Sequence, residues 1–297
     1  MIDGHFFFAV IRLFKLKHYL KNILIFFPVF FSGKLLEYSF GFLLQCFLIF
    51  SLLSSAVYIF NDLCDMEKDR RHPQKCKRPL AAGDISRSAG VVIFLLTSVI
   101  ACCWGYFFFN SAKLPLTVMG LYLILNIGYS LKWKNIPVCD LAILASGFLL
   151  RLLYGGCSCN ITVSSWLYLT VLAVSFYMGI GKRLNEKLNP QGDSTRTVLS
   201  LYSKNYLENQ MSLAATLGIV FYSQWSALGS QKETLLWTVP FVILAFFRYS
   251  YVVENKNNED PVQIILKDGM LLVLGAITGL IIFISIYGDK ISAFLPF

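Results

Sequence analysis

Residues 61–84 read NDLCDMEKDRRHPQKCKRPLAAGD and stand between apolar runs long enough to cross a bilayer. The stretch sets Asp62, Asp65, Glu67 and Asp69 against Arg70, Arg71, Lys75, Lys77 and Arg78. Asp62, Asp65 and Asp69 fall at i, i+3 and i+7, so on a helix they share one face. Carboxylates gathered at a membrane edge repel one another unless a cation stands between them, and hard oxygen ligands of this kind suit Mg2+. Pro73, Pro79 and Gly83 then end the helix and present Lys75, Lys77 and Arg78 at a turn, where they can meet phosphate oxygens. The alternative is a solvated, charged helix end. The cost of unpaired carboxylates beside lipid argues against it. The pattern predicts a magnesium–diphosphate site at the mouth of a membrane helix bundle.

Composition fixes the class around that stretch. The 297 residues are 56% hydrophobic, 15% aromatic and 14% charged, with mean hydropathy +0.62. Soluble domains carry roughly a quarter charged residues, and a spanning helix needs about 20 mostly apolar ones. An all-α, polytopic membrane helix bundle is expected, as one domain over residues 1–297 and without a cleaved signal. The net charge of +9 fits cytoplasmic loops and anionic phosphates better than nucleic acid. The eight cysteines form no zinc pattern, and His5, His18 and His72 are not a metal set.

Nine spans are expected, near residues 18–35, 41–60, 88–109, 115–132, 138–157, 163–182, 210–229, 234–253 and 268–288. Lys and Arg concentrate in the N-terminal segment and in the connections after the second, fourth, sixth and eighth spans. Examples after the sixth are Arg183, Lys187, Arg196 and Lys204. By the positive-inside rule the N-terminus is cytoplasmic, and every charged motif converges on that face.

The pattern NDxxDxxxD at Asn61, Asp62, Asp65 and Asp69 resembles the first acidic motif of the UbiA family of membrane prenyltransferases. Its continuation through DRRHPQKCKRPLAAG is similar to the decaprenyl-phosphate phosphoribosyltransferase branch. So are KNILIFFPVFFSG at 21–33, YSLKWKNIPVCDLAILASGFLLRLLYGG at 129–156, GKRLNE at 181–186 and EDPVQIILKD at 259–268. Aromatic prenyltransferases of the family carry a second acid pair spaced DxxxD. Here Asp140 stands alone, with Leu144 in the second place.

The resemblance implies transfer of 5-phosphoribose from phosphoribosyl diphosphate to a polyprenyl phosphate in a bacterial inner membrane, at a site on the cytoplasmic side. Asp62, Asp65 and Asp69 would hold Mg2+, and Asp140 would join them as a catalytic acid. Lys21, Asn61, Lys75, Lys77, Arg78, Tyr129, Ser130, Lys132, Arg151, Lys182 and Arg183 would bind substrate. Interfacial aromatics and snorkelling lysines are the plain reading of Tyr129 and Lys132. Asp140 and Arg151, three turns apart, share a helix face, so Arg151 is expected to meet a polar cavity or a carboxylate. Three other functions fit less of the pattern: prenyl transfer to an aromatic or other acceptor, phosphoribosyl transfer to a different acceptor, and lipid transport without chemistry.

Overall fold

The computed structural model describes residues 4–110, 112–189, 197–229, 232–255 and 260–294. Arg196 and Glu259, named above, lie outside them, as does the side chain of His5. The described residues are helical, with no strand among them.

The chain opens with α1 (Gly4–Leu13). A 3-10 helix (Leu16–Phe26) then runs into the short α2 (Phe27–Phe31). The expected first span is therefore helical but not an α-helix. A 3-10 turn rises about 2.0 Å per residue, so Leu16–Phe31 reaches roughly 30 Å, which matches the hydrocarbon thickness of a bilayer. Next come α3 (Phe40–Arg70), α4 (Pro79–Ala82), α5 (Arg87–Phe108), α6 (Lys113–Leu131), α7 (Cys139–Ser158), α8 (Ser165–Leu188) and α9 (Thr197–Leu201). The chain ends with α10 (Lys204–Gln224), α11 (Val239–Asn255), α12 (Pro261–Lys267) and α13 (Gly269–Phe294).

Among the described residues, six helices are long and apolar enough to cross a membrane: α3, α5, α6, α7, α13, and α11 together with the 3-10 turn before it. The other expected spans fall on the 3-10 run, α8 and α10. The last two are long, but α8 ends in Lys182, Arg183, Glu186 and Lys187, and α10 starts with Lys204, Asn205, Glu208 and Asn209.

Local chemistry sets the helix starts. The side chains of Ser39, Ser86, Ser164, Ser203 and Asp260 each accept a backbone N–H in the first turn of α3, α5, α8, α10 and α12, satisfying donors that a helix leaves open.

Two apolar clusters meet at α7. One packs Ile49, Phe50, Leu53, Tyr122, Leu150 and Tyr154 between α3, α6 and α7. The other gathers Leu141, Tyr177, Leu184, Met211, Tyr249 and Ile264 among α7, α8, α10, α11 and α12. The 3-10 run lies directly against α7. At Gly155 a Cβ atom would stand 1.9 Å from the Ile25 carbonyl oxygen, so only glycine permits this approach.

The length of α3 positions the acidic face. Its 31 residues measure roughly 46 Å, about 16 Å more than the hydrocarbon core of a bilayer. The excess is the Asp62–Arg70 end, where the apolar run stops.

Candidate active site

Three acids of α3, Asp62, Asp65 and Asp69, engage three bases, Lys15, Arg78 and Lys134. Asp62 Oδ1 accepts from Lys15 Nζ at 2.7 Å and from Arg78 Nη1 at 2.8 Å. The same Arg78 nitrogen donates to Asp69 Oδ2 at 2.7 Å, so Asp62 and Asp69 converge on one cation. Asp65 instead accepts from Lys134 Nζ at 2.5 Å. Asp62 is buried, and its Oδ2 has no hydrogen-bond partner among the described residues.

Lys15 reaches this point because it turns the chain in the left-handed region, φ 52°, between α1 and the 3-10 helix. Burial pushes its ammonium below the ordinary lysine range, partly offset by Asp62. Its Nζ also lies over the Tyr58 ring, 5.5 Å from the centroid. Asn61 is held beside α6, where Ser130 Oγ donates to its Oδ1 at 3.4 Å.

Two sequence expectations shift here. The lysine of the second motif that meets an acid is Lys134, while Lys132 is exposed at the end of α6. A 3-10 turn, Trp133–Asn135, redirects the chain between them. Arg78 enters the acidic face, but Lys77 is exposed. Lys75 N–H points at His72 Nδ1 in the turn after α3.

Asp140 stands apart from the acidic face. Its Oδ2 accepts from Arg183 Nε at 2.7 Å and its Oδ1 from Tyr202 Oη at 2.7 Å. Both side chains of the Asp140–Arg183 pair are fully buried. Arg183 also donates to Glu186 at 3.1 Å and to Tyr129 Oη at 3.3 Å. Asp140, Arg183 and Tyr129, expected to touch substrate or metal, are thus drawn into a buried strut tying α7 to α8. Tyr202, which completes it, carries no motif or spacing that marks it in the sequence.

Arg151 is buried on α7 with neutral partners. It donates to Asn22 Oδ1 at 2.7 Å, to the Gly147 carbonyl at 2.6 Å and to Tyr122 Oη at 3.0 Å. The Phe50 and Tyr122 rings stand 5.5 and 5.1 Å from its guanidinium carbon. Among the described residues no carboxylate pairs with it, so the polar surroundings expected of it are met by Asn22 and Tyr122. Asn22 in turn donates to Ser51 and Ser54 on α3. Lys21 and Lys182 meet elsewhere, on Asp260.

A sequence profile of the UbiA prenyltransferase family matches residues 23–275. The chain belongs to this family. It is 34% identical over 250 residues to the decaprenyl-phosphate phosphoribosyltransferase of Corynebacterium glutamicum, covering 81% of this chain and 74% of that protein. To the enzyme of the same name from Mycolicibacterium smegmatis it is 29% identical, over 90% and 88% of the two chains. A UbiA homologue from Archaeoglobus fulgidus, solved with DMAPP and Mg2+, shares the fold with a TM-score of 0.72 at 17% identity. That match covers 96% of this chain and 99% of that one.

The donors of this site bear on whether it can hold a metal. Among the described residues no three His, Cys, Asp or Glu side chains gather closely enough for one ion. Asp65, turned to Lys134, is the acid that departs from the expected trio. Asp62 and Asp69 nevertheless share a single cationic nitrogen, and Asp62 Oδ2 is a buried acceptor with nothing to accept. Mg2+ is usually held by one or two carboxylates with the rest of its shell from phosphates and water. The residues present fit that arrangement.

Proposed function

We propose that this protein transfers 5-phosphoribose from phosphoribosyl diphosphate to a polyprenyl phosphate, releasing diphosphate. The observation that carries the reading is the engagement of Asp140. With both its oxygens taken by Arg183 and Tyr202, and Leu144 in place of a second acid, one acidic face remains instead of two. That weighs against the paired-acid arrangement of the family's aromatic prenyltransferases and toward the phosphoribosyl branch. The names of the bacterial relatives point the same way.

Asp62 and Asp69 would hold Mg2+, which when bound neutralises charge on the leaving diphosphate. Lys15, Arg78 and Lys134, released from the acids, would meet diphosphate oxygens. Arg is suited to this by its planar fork and Lys by its compact charge. The bond from ribose C1 to diphosphate breaks with oxocarbenium character at C1. A phosphate oxygen of the acceptor then forms the new bond there. The acceptor is already an anion, so the chain need supply no strong general base. Its contribution is positioning and fixed charge.

The whole chain acts as one transferase unit, multi-pass in a bacterial inner membrane. Its acidic face lies on the cytoplasmic side, a placement supported by the Lys- and Arg-rich connections. Prenyl transfer from a prenyl diphosphate is the second reading, favoured by the prenyl diphosphates and Mg2+ bound to the archaeal UbiA homologue.

The deciding experiment gives purified protein Mg2+, labelled phosphoribosyl diphosphate and a polyprenyl phosphate, and separates the lipid products. A phosphoribosyl lipid is expected. Its absence, together with turnover of a prenyl diphosphate in a parallel reaction, overturns the proposal.

A further inference from the structure

The motif DPVQIILKD has no role in the chemistry above, yet it places a carboxylate between two lysines. Asp260 caps α12, its Oδ1 accepting the Val262 N–H at 3.2 Å. Its other oxygen, Oδ2, accepts from Lys21 Nζ at 3.1 Å and from Lys182 Nζ at 3.4 Å. The lysines come from the 3-10 run and from α8, 161 positions apart in sequence (182 less 21), and they meet on one oxygen atom. Lys21 and Val262 also line a cavity of about 350 Å3 whose other walls include Phe27, Phe148, Val171 and Trp225. A two-lysine anion site therefore stands at the rim of an apolar cavity, and the chain's own carboxylate sits in it.

We propose that Lys21 and Lys182 receive the phosphate headgroup of a long-chain lipid phosphate whose tail enters this cavity, and that Asp260 is a place-holding counterion which the headgroup displaces. The identity of that lipid as the acceptor rests on the function proposed above. Two half-buried ammonium groups beside lipid repel one another and lose hydration, so an internal anion keeps them oriented while no ligand is bound. Burial alone would raise the Asp260 carboxyl, but Lys182 and Lys21 outweigh it and hold the group below the ordinary carboxylate range, so it stays charged. A phosphate monoester brings about −1.5 to −2 charges at pH 7 and three acceptor oxygens, against one charge and one shared oxygen from Asp260. Exchange thus favours the phosphate. The volume is near the low end for small-molecule sites, which suits the head-proximal part of a polyprenyl tail with the remainder in the bilayer.

Asp260→Asn tests this cleanly, because Asn caps a helix as well as Asp does and only the charge is lost. The measurement is equilibrium binding of polyprenyl phosphate to the full chain in lipid nanodiscs, without donor. Asp260→Asn is expected to bind about tenfold tighter than wild type, and Lys21→Met at least tenfold weaker. Neither substitution should change binding of the corresponding polyprenol. Unchanged or weaker binding of polyprenyl phosphate by Asp260→Asn overturns the proposal, as does an equal gain for the polyprenol. Inorganic phosphate competing as well as the lipid overturns the lipid assignment. The two proposals fail separately. A tenfold shift without phosphoribosyl transfer removes the proposed reaction and leaves this site standing, whereas transfer without the shift removes the place-holder alone.

Discussion

Replacing Asp140 with Ala separates a structural role for the second motif from a catalytic one. Wild-type Asp140 has Arg183 Nε and Tyr202 Oη each at 2.7 Å, and neither member of the ion pair is exposed. Removing one partner of such a pair leaves a buried charge uncompensated, at a cost of about 3–5 kcal/mol. Glu186, at 3.1 Å from Arg183, offsets part of this, so the lower end applies. At about 2 °C per kcal/mol for a chain of this size, the melting temperature falls by roughly 6 °C. A thiol-reactive dye reads the transition, because Cys46 and Cys159 are buried free thiols. The double substitution Asp140→Leu with Arg183→Met removes both charges and restores most of the loss, since apolar replacements of buried pairs are often neutral or better. Tyr202 keeps a partner in that variant, the Val138 N–H. If Asp140→Ala melts like wild type while activity vanishes, the strut is incidental and Asp140 acts on substrate or metal.

Asp69→Asn, which keeps the shape and loses the charge that faces Arg78, should raise the Mg2+ needed for half-maximal activity at least tenfold with little change in melting temperature. An unaltered Mg2+ titration would remove Asp69 from the metal set. Gly155→Ala should destabilise by about 1–3 kcal/mol or prevent folding, because the new methyl meets the Ile25 backbone, whereas Gly179→Ala, with its nearest neighbour at 3.8 Å, should be tolerated. Thermal melts of the two variants decide this. The Asp260 carboxyl is depressed below its ordinary 3.8, so the stability from its lysine pairs is complete above that value and is lost only as pH falls below it. The ratio of wild-type to Asp260→Asn affinity for polyprenyl phosphate should therefore stay constant between about pH 5 and pH 9. Calorimetry should find Mg2+ bound weakly by the protein alone and far more tightly when diphosphate is present.

The acidic face was legible because helical spacing is local: i, i+3 and i+7 bring Asp62, Asp65 and Asp69 to one side whatever surrounds the helix. Arg78 could be read for a similar reason, since two prolines and a glycine force a turn there. Partners from other helices could not be read this way. Lys15 depends on a left-handed residue and Lys134 on a 3-10 turn, neither of which apolar periodicity records. Spacing put Asp140 and Arg151 on one face of α7, yet the first turned to Arg183 on α8 and the second to Asn22. Tertiary packing made that choice. The helical, membrane-spanning character followed from composition. The 3-10 form of Leu16–Phe26 did not, because apolar spacing does not distinguish it from an α-helix.

Charge balance explains why the acids of α3 are each tied to a base. Three carboxylates (Asp62, Asp65, Asp69) face three cations (Lys15, Arg78, Lys134), so this part of the protein is self-neutralised at the membrane edge, where an unpaired charge costs several kcal/mol. Under the proposed function the same balance would make the site selective. A divalent cation arriving alone must break the acids from their bases and strand the bases; a diphosphate arriving alone strands the acids. When both arrive, each freed group finds an opposite charge, and no ion in the low-dielectric interior is left without a partner. Asp260 with Lys21 and Lys182, and Arg151 with its neutral cage, differ in kind. There two lysines share one carboxylate oxygen and Arg151 is held by neutral groups, an arrangement that under the proposal above would take an anionic headgroup in place of Asp260. Under the proposed reaction the acidic face would serve the metal-bound donor, and the Lys21–Lys182 pair the anionic acceptor.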